Sequence, residues 1–145
     1  MQKGIPIRTG SQFTAEQYGN TLIIRLKLRC LDSRLSERDR RQVGDLLAKH
    51  RQVVLDFAEV ATTNGAGLDM IADWVKFVQS AGSALVLAQC SGPILSLLAI
   101  LRISRFVPVV SNWRDALIHF EAGQNVVGRP AGRSGAETLK DRAVS

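Results

Sequence analysis

Residues 53–88 read VVLDFAEVATTNGAGLDMIADWVKFVQSAGSALVLA, and their pattern is the clearest structural information in the chain. The segment opens and closes with short apolar runs, VVLDF and SALVLA, which are typical of strands buried on both faces of a sheet. Between the runs, apolar residues from Leu68 to Val78 recur at helical spacing, and Gly82 follows where a helix commonly ends. The strand, helix, strand order predicts a right-handed crossover between parallel strands.

Upstream of this unit, the sequence predicts a hairpin and a helix. Residues 12–18 and 21–28 flank a Gly-Asn dipeptide typical of tight turns, so we expect two antiparallel strands. Either Ser33 or Ser36 can cap a following helix that extends to His50. The apolar residues of that helix fall on one face: Leu35, Val43, Leu46 and Leu47.

Downstream, the alternation of helices and strands continues. Pro93 is placed for the first turn of a helix, where its missing N–H has no cost. Residues 106–110 predict a short strand at a sheet edge, because Pro108 interrupts it. Ser111 is expected to cap a final helix over residues 112–122. The whole pattern predicts the α/β class: a single domain with a mixed sheet of four or five strands and helices packed mainly on one side.

Length and composition place the chain among small globular proteins. Its 145 residues, 46% hydrophobic and 22% charged, suit one domain over residues 13–122, preceded by a segment 1–12 and followed by a glycine-rich tail 123–145 that we expect to be disordered. The sequence has no membrane-spanning apolar run and no secretory leader pattern. Cys30 and Cys90 are far apart and lack a nearby histidine cluster. These observations predict a cytoplasmic protein with reduced thiols.

Most of the basic excess is concentrated in one stretch. The net charge is +6, and residues 25–51 hold nine Lys or Arg against four Asp or Glu. A surface for phosphate, nucleic acid or an acidic protein partner would explain this, but acidic residues alternate with the basic ones, as on an ion-paired helix face. Residues 21–56 also contain no aromatic side chain on which a base could stack. We therefore expect no nucleic-acid binding.

The sequence offers little for catalysis. No nucleophile, metal or nucleotide motif is present, and His50 and His119 are the only histidines. Cys90 follows a predicted buried strand, and its position fits a buried structural thiol better than a reactive thiolate. Asp56 ends another such strand, where a carboxylate needs hydrogen bonds, so we expect backbone N–H groups of the next loop to donate to it. We predict no enzyme activity, no metal and no cofactor.

The loop between the first strand of residues 53–88 and the following helix is the best candidate for a binding surface. Its residues are small and turn-forming, ATTNGAG over residues 61–67. Small side chains leave backbone N–H groups and a helix N-terminus open at the surface. Such a surface suits an anion, a phosphorylated side chain or a closely packed protein partner.

These features together resemble the STAS family, named after sulfate transporters and anti-sigma factor antagonists. In that family a strand ends in Leu-Asp-Leu, a loop reads Asp-Ser-Ser-Gly-Leu-Gly, and a glycine turn precedes the next strand. Here LDF at residues 55–57, GL at 67–68 and AGS at 81–83 match these motifs in order and spacing. The resemblance covers residues 13–121. It implies a non-enzymatic regulatory protein that binds a protein partner.

One departure from the family pattern bears on regulation. Aligned on the Gly-Leu motif, the family's Asp falls on Asn64 and its two serines fall on Gly65 and Ala66. In family members that work by partner switching, the partner kinase phosphorylates one of those serines, and the added negative charge repels the partner. Neither residue here has a hydroxyl. Thr62 and Thr63 are the nearest alternatives, but using them would shift the kinase's register by two or more residues.

The resemblance therefore predicts a docking surface without the usual acceptor. The predicted partner-binding residues are Thr62, Thr63, Asn64, Gly65, Ala66, Gly67 and Leu68. The predicted partner is an anti-sigma factor that is also a serine kinase. The alternatives are an accessory role on the ATPase of an ABC transporter and, less compatible with the sequence, a basic nucleic-acid-binding module. The identity of the partner and the formation of a homodimer stay open.

Overall fold

The computed structural model describes residues 4–32 and 34–121, which form a mixed α/β fold. Six strands make one sheet in the order β1-β2-β3-β5-β7-β8, and two short strands, β4 and β6, pair separately. The strands are β1 (Ile5–Thr9), β2 (Phe13–Tyr18), β3 (Thr21–Leu26), β4 (Cys30–Leu31), β5 (Gln52–Asp56), β6 (Thr62–Thr63), β7 (Ala84–Ala88) and β8 (Val109–Val110). The helices are α1 (Glu37–Lys49), α2 (Gly65–Ala81), α3 (Gly92–Ile100) and α4 (Trp113–Glu121), with a 3₁₀ turn at Ile103–Arg105.

The sheet has the predicted mixed character and one strand more than predicted. β1, β2 and β3 pair antiparallel, whereas β3, β5, β7 and β8 run parallel. The additional strand is β1, whose sequence IPIRT has no alternation of buried and exposed positions. All five of its residues are exposed, so the hydrophobic pattern could not predict it.

Two apolar layers cover the two faces of the sheet. The larger layer joins one face to α1, α2 and α3, with Leu47, Trp74 and Leu98 among its buried members. The smaller layer packs Ala116 and Phe120 of α4 against the other face. Three of the four helices therefore lie on one side, as predicted, and the carboxyl ends of β3, β5 and β7 lead into the loops considered below.

The helix ends follow local capping chemistry. Of the two candidate caps for α1, Ser36 accepts a hydrogen bond from the Asp39 N–H at 3.1 Å, and Ser33 lies outside the described residues. The prediction for α4 was wrong by one residue, because the Asn112 side chain accepts from the Asp115 N–H at 2.9 Å and takes the place given to Ser111. Residues 122–145, including the predicted tail, also lie outside the described part.

The last strand is shorter than predicted. A strand was expected over residues 106–110, but only Val109–Val110 pairs with β7, at the edge of the sheet. The preceding residues form a 3₁₀ turn that is closed by the Phe106 N–H donating to the Ile103 carbonyl at 2.9 Å. Pro108 lacks an N–H for the ladder, and its carbonyl accepts from Leu87 at 3.0 Å. The edge position itself was predicted correctly.

Candidate functional site

The loop predicted as a binding surface ends in a capped helix start. The Asn64 side chain accepts a hydrogen bond from the Gly67 N–H at 3.0 Å, and α2 begins at Gly65. The sequence placed the start at Leu68, three residues too late. The glycines of this first turn have low helix propensity, and the turn is helical because the cap and its tertiary contacts fix it.

A short parallel pair of strands holds the loop from below. Thr62 and Thr63 of β6 lie beside Cys30 and Leu31 of β4, and the Ala61 N–H donates to the Arg29 carbonyl at 2.7 Å. Strand pairs of two residues leave no periodic pattern, so the sequence did not predict this contact. This pairing attaches the loop to β4.

Gly67 lies where two backbones meet. It is buried, and a Cβ atom built on it would overlap the Leu31 carbonyl oxygen and the Thr63 Oγ1. Only a residue without a side chain permits this approach. Gly65, two residues earlier, has open space around it. The two glycines therefore have different roles, which their identity alone does not reveal.

The surface of this site is made of small side chains. Gly65 and Ala66 are exposed in the first turn of α2, and Asn64 and Thr62 are exposed before it. Leu68 is half-buried. Of the seven residues predicted to bind a partner, six therefore reach the surface, and Gly67 supports them from inside.

The two threonine hydroxyls differ in availability. The Thr63 Oγ1 donates to the Leu31 carbonyl at 2.7 Å and is half-buried. Thr62 is exposed, and its side chain forms no hydrogen bond within the described residues. Phosphorylation of Thr63 would require this bond to break, whereas the Thr62 hydroxyl has no such bond among the described residues.

A serine at the start of α3 also holds the loop. The Ser91 Oγ donates to the Ala61 carbonyl at 2.7 Å, so the N-terminal end of α3 is attached to the residue that precedes β6. Ser91 and Ala61 are 30 residues apart, so no local sequence pattern indicates this contact. The loop is thus fixed from three sides by β4, α2 and α3.

Beneath the loop, Asp56 is the centre of a buried polar network. Its carboxylate accepts from the Ala58 N–H at 2.9 Å, from the Gln89 side-chain amide at 2.9 Å and from the Arg25 Nε at 3.2 Å. The backbone donor confirms the prediction made for Asp56 from sequence. The other two donors come from neighbouring strand ends, and Gln89 adopts a left-handed backbone conformation with φ of 60°.

At its Arg25 end, the network extends over the face of the sheet that α4 covers. The Arg25 guanidinium lies 3.5 Å from the Glu16 carboxylate and 5.9 Å from the ring centroid of Trp113 on α4. Trp113 in turn packs against Tyr18, with ring centroids 5.0 Å apart. The network therefore ties the loop side of β5 to the layer beneath α4.

Cys90 sits beside this network as a protonated thiol. Burial, with a smaller contribution from the negative charge of Asp56, raises the pKa of Cys90 to about 12. Burial and a raised pKa favour a structural role for Cys90, because a thiolate is the reactive form.

The high pKa of Cys90 predicts slow alkylation. In a Cys30→Ser variant, the iodoacetamide reaction rate should rise roughly tenfold per pH unit from pH 8 through pH 10, whereas the rate for a free thiol with a pKa of about 8.5 levels off. Mass spectrometry of quenched samples measures this rate, and the urea-unfolded variant supplies the free-thiol control. A rate that levels off below pH 9 in the folded variant would show that Cys90 is an activated thiolate.

The described residues hold no group of three or more His, Cys, Asp or Glu that could bind a metal ion. Nor does this part of the chain include a helix of the length and apolar character needed to cross a membrane. His50 follows α1, with its Nδ1 2.9 Å from the Leu46 carbonyl oxygen. The side chain of His119 is outside the described part.

Five of the nine basic residues in the stretch 25–51 form ion pairs with described acidic residues. Arg41 pairs with Glu37 on α1, and Arg40 pairs with Asp73 on α2, each at 2.9 Å. Three further cations of the stretch, Arg25, Lys27 and Arg34, also have acidic partners. This partial pairing is typical of a solvated, charged helix face and its surroundings.

Comparison with known families agrees with the fold. The model of the STAS domain family matches residues 12–116, well over half of the chain. The chain belongs to the STAS family. A search of curated protein sequences gives no match.

Solved structures share this fold at low sequence identity. A candidate anti-sigma factor antagonist from Thermotoga maritima superposes with a TM-score of 0.66 at 17% identity, over 75% of this chain and 94% of that one. The anti-sigma factor antagonist SpoIIAA in its unphosphorylated form gives 0.60 at 14% identity, over 77% and 97%.

A murine anion transporter, Solute Carrier 26 family member A9, also superposes. Its TM-score is 0.62 at 13% identity, over 84% of this chain and 22% of the transporter. The STAS fold of this chain therefore occurs both as a small protein and as part of a much larger one.

Proposed function

We propose that this STAS protein is a non-enzymatic regulator of the anti-sigma factor antagonist type that binds a protein partner through residues 62–68 and the first turn of α2. The observation that carries the proposal is the exposed Gly65-Ala66 surface on a rigidly held helix start. Asn64 caps that helix, and Gly67 packs on β4 beneath it. Because no side chain larger than a methyl group projects there, a partner can approach the backbone closely.

The same surface lacks the acceptor used in partner switching. Gly65 and Ala66 stand where the family has serines, the Thr63 hydroxyl is bonded to the Leu31 carbonyl, and Thr62 lies three residues before Gly65. We infer that the loop is not phosphorylated at the family position and stays in its binding state. Regulation then comes from the abundance of the protein or from a competing STAS protein.

The partner class follows from family membership and from the chemistry of the surface. The family resemblance points to an anti-sigma factor with serine kinase activity, which works where ATP is available, so we place the complex in the cytoplasm. An ATPase subunit of a transporter is the alternative partner of the same surface. Both alternatives use the start of α2, so one set of variants tests them together.

Ala66→Asp is expected to weaken partner binding about tenfold. The new carboxylate would face the partner at close range, in imitation of a phosphoryl group with less charge. The same substitution places a negative charge at a helix N-terminus, which stabilises the isolated fold by up to about 1 kcal/mol. Weaker binding together with an unchanged or higher melting temperature would therefore separate docking from folding.

Affinity capture followed by titration measures this effect. The wild-type chain and two variants are used as baits: Ala66→Asp, and the control Ile118→Ser on the exposed side of α4. We expect the wild type and the control to retain one shared protein that Ala66→Asp loses. Equal retention by all three baits would contradict docking at this loop, and the identity of the retained protein decides between an anti-sigma kinase and a transporter ATPase.

A further inference from the structure

The end of α3 carries large apolar side chains that lie open to solvent. The exposed fractions are 72% for Ile100, 50% for Leu101 and 55% for Phe106. Scattered exposed apolar residues are ordinary on protein surfaces, but three large ones within residues 100–106 form a patch. We call Ile100, Leu101, Arg102, Arg105 and Phe106 the α3 tip.

The α3 tip is also cationic. Arg102 and Arg105 are exposed, and neither forms an ion pair with another described residue. The sequence from residue 89 to residue 114 contains no Asp or Glu. On α1, by comparison, Arg40 and Arg41 have acidic partners, whereas Arg38 and Lys49 have none among the described residues. An apolar patch with two unpaired arginines and no acidic residue in its own segment is complementary to a negatively charged surface that also accepts apolar groups.

Two buried residues hold the tip in this conformation. Arg102 adopts a left-handed backbone conformation with φ of 61°, which ends α3 and reverses the chain. Ile103 and Val107 then insert into the core, with 8% and 1% of their surfaces exposed. Because these two anchors point inward, Arg105 and Phe106 between them are displayed outward.

The tip projects from the surface rather than lining a groove. A side chain exposed over 72% of its surface, as Ile100 is, stands clear of its neighbours. A partner helix would need a complementary groove, whereas the interface of a bilayer receives projecting apolar side chains without one. Arginine beside such side chains binds lipid phosphate groups at the depth of the head groups.

We propose that the α3 tip binds the surface of a membrane rich in anionic phospholipid. This goes beyond the proposed function, because it concerns a second surface at the other end of α3 from the docking loop. The N-terminal end of α3 touches the loop through Ser91, and a helix of nine residues spans about 13 Å. The tip and residues 62–68 are therefore separate surfaces near opposite ends of α3.

Co-sedimentation of the full chain with lipid vesicles tests the proposal. One set contains phosphatidylcholine alone, and in the other roughly a third of the lipid is phosphatidylglycerol. We expect binding to the anionic vesicles only, reversed by high salt. The double variant Ile100→Ser/Phe106→Ser should lower the partition coefficient by about tenfold or more, because it removes the inserted apolar groups.

Charge variants and matched controls make the assignment specific. Arg102→Asn, which tolerates the left-handed backbone, and Arg105→Gln should each weaken anionic binding about fivefold at low salt. Ile118→Ser on α4 and Arg38→Gln on α1 remove an equally exposed apolar group and an equally exposed arginine elsewhere. These controls should bind like the wild type. All variants change exposed residues, so their circular dichroism spectra should match that of the wild type.

Three outcomes would overturn the proposal. They are equal binding to both vesicle types, anionic binding that the tip variants leave unchanged, and no binding at lipid concentrations in the millimolar range. If vesicles fail to bind while the tip variants lose the captured protein partner, the tip belongs to a protein interface. Failure of lipid binding leaves the Ala66→Asp result unaffected, so the two proposals are judged separately.

Discussion

Gly67→Ala is expected to destabilise the protein by about 3 kcal/mol, the largest effect of any substitution in the docking loop. The added Cβ would overlap the Leu31 carbonyl oxygen and the Thr63 Oγ1. One of these atoms is backbone, and the other donates the hydrogen bond that joins β6 to β4. The Leu31 carbonyl cannot shift without disturbing the pairing of β4 with β6, and the Thr63 hydroxyl cannot rotate away without breaking its hydrogen bond.

Gly65→Ala is the matched control for this prediction. It makes the same chemical change two residues earlier, where a Cβ would have nothing within 4 Å. Alanine in a helix is favoured over glycine, so this variant should be as stable as the wild type or more stable by up to about 1 kcal/mol. Urea unfolding followed by circular dichroism measures both. Equal stability of the two variants would contradict the close packing of α2 on β4.

Asp56→Ala is expected to cost about 3 kcal/mol of stability as well. It removes the carboxylate that accepts three hydrogen bonds. The Ala58 N–H, the Gln89 amide and the Arg25 guanidinium then lose this acceptor. Buried donors that lose their acceptor retain the full cost of desolvation, and the charged Arg25 adds to that cost.

Asp56→Asn separates hydrogen bonding from charge at the same position. Its side-chain oxygen can still accept from Ala58 and Gln89, but its amide cannot accept from Arg25, so we expect roughly half of the loss seen with alanine. Urea unfolding and partner binding should be measured for both variants. An alanine variant as stable as the wild type but unable to bind the partner would show that Asp56 contacts the partner directly.

The sequence predicted the elements whose pattern is local and strong. The strands at residues 52–57 and 83–88 were recognised because they are short apolar runs bounded by polar residues, and Gly82 ends α2 with φ of 72°. The edge strand β1 was not predicted, since IPIRT has no buried face. The β4–β6 pair was not predicted, because strands of two residues are too short to show an alternation of apolar and polar residues.

The site was predicted in composition but not in architecture. The small residues of the loop and the hydrogen-bonding role of Asp56 follow from residue type and position. That Gly67 is buried against β4 while Gly65 faces solvent depends on where β4 lies. The partners Arg25 and Gln89 reach Asp56 from strands far apart in sequence. Contacts of this kind exist only once the sheet has assembled.

The most direct test of the account measures phosphate incorporation and partner affinity together. The captured kinase and ATP are incubated with the wild-type chain and with Gly65→Ser/Ala66→Ser, and phosphate is located by mass spectrometry before each dissociation constant is measured. We expect no phosphate and an unchanged dissociation constant for the wild type, but phosphate on the new serines and at least about tenfold weaker binding for the variant. Stoichiometric phosphate on Thr62 or Thr63 of the wild type, with weaker binding, would contradict a docking surface fixed in its binding state.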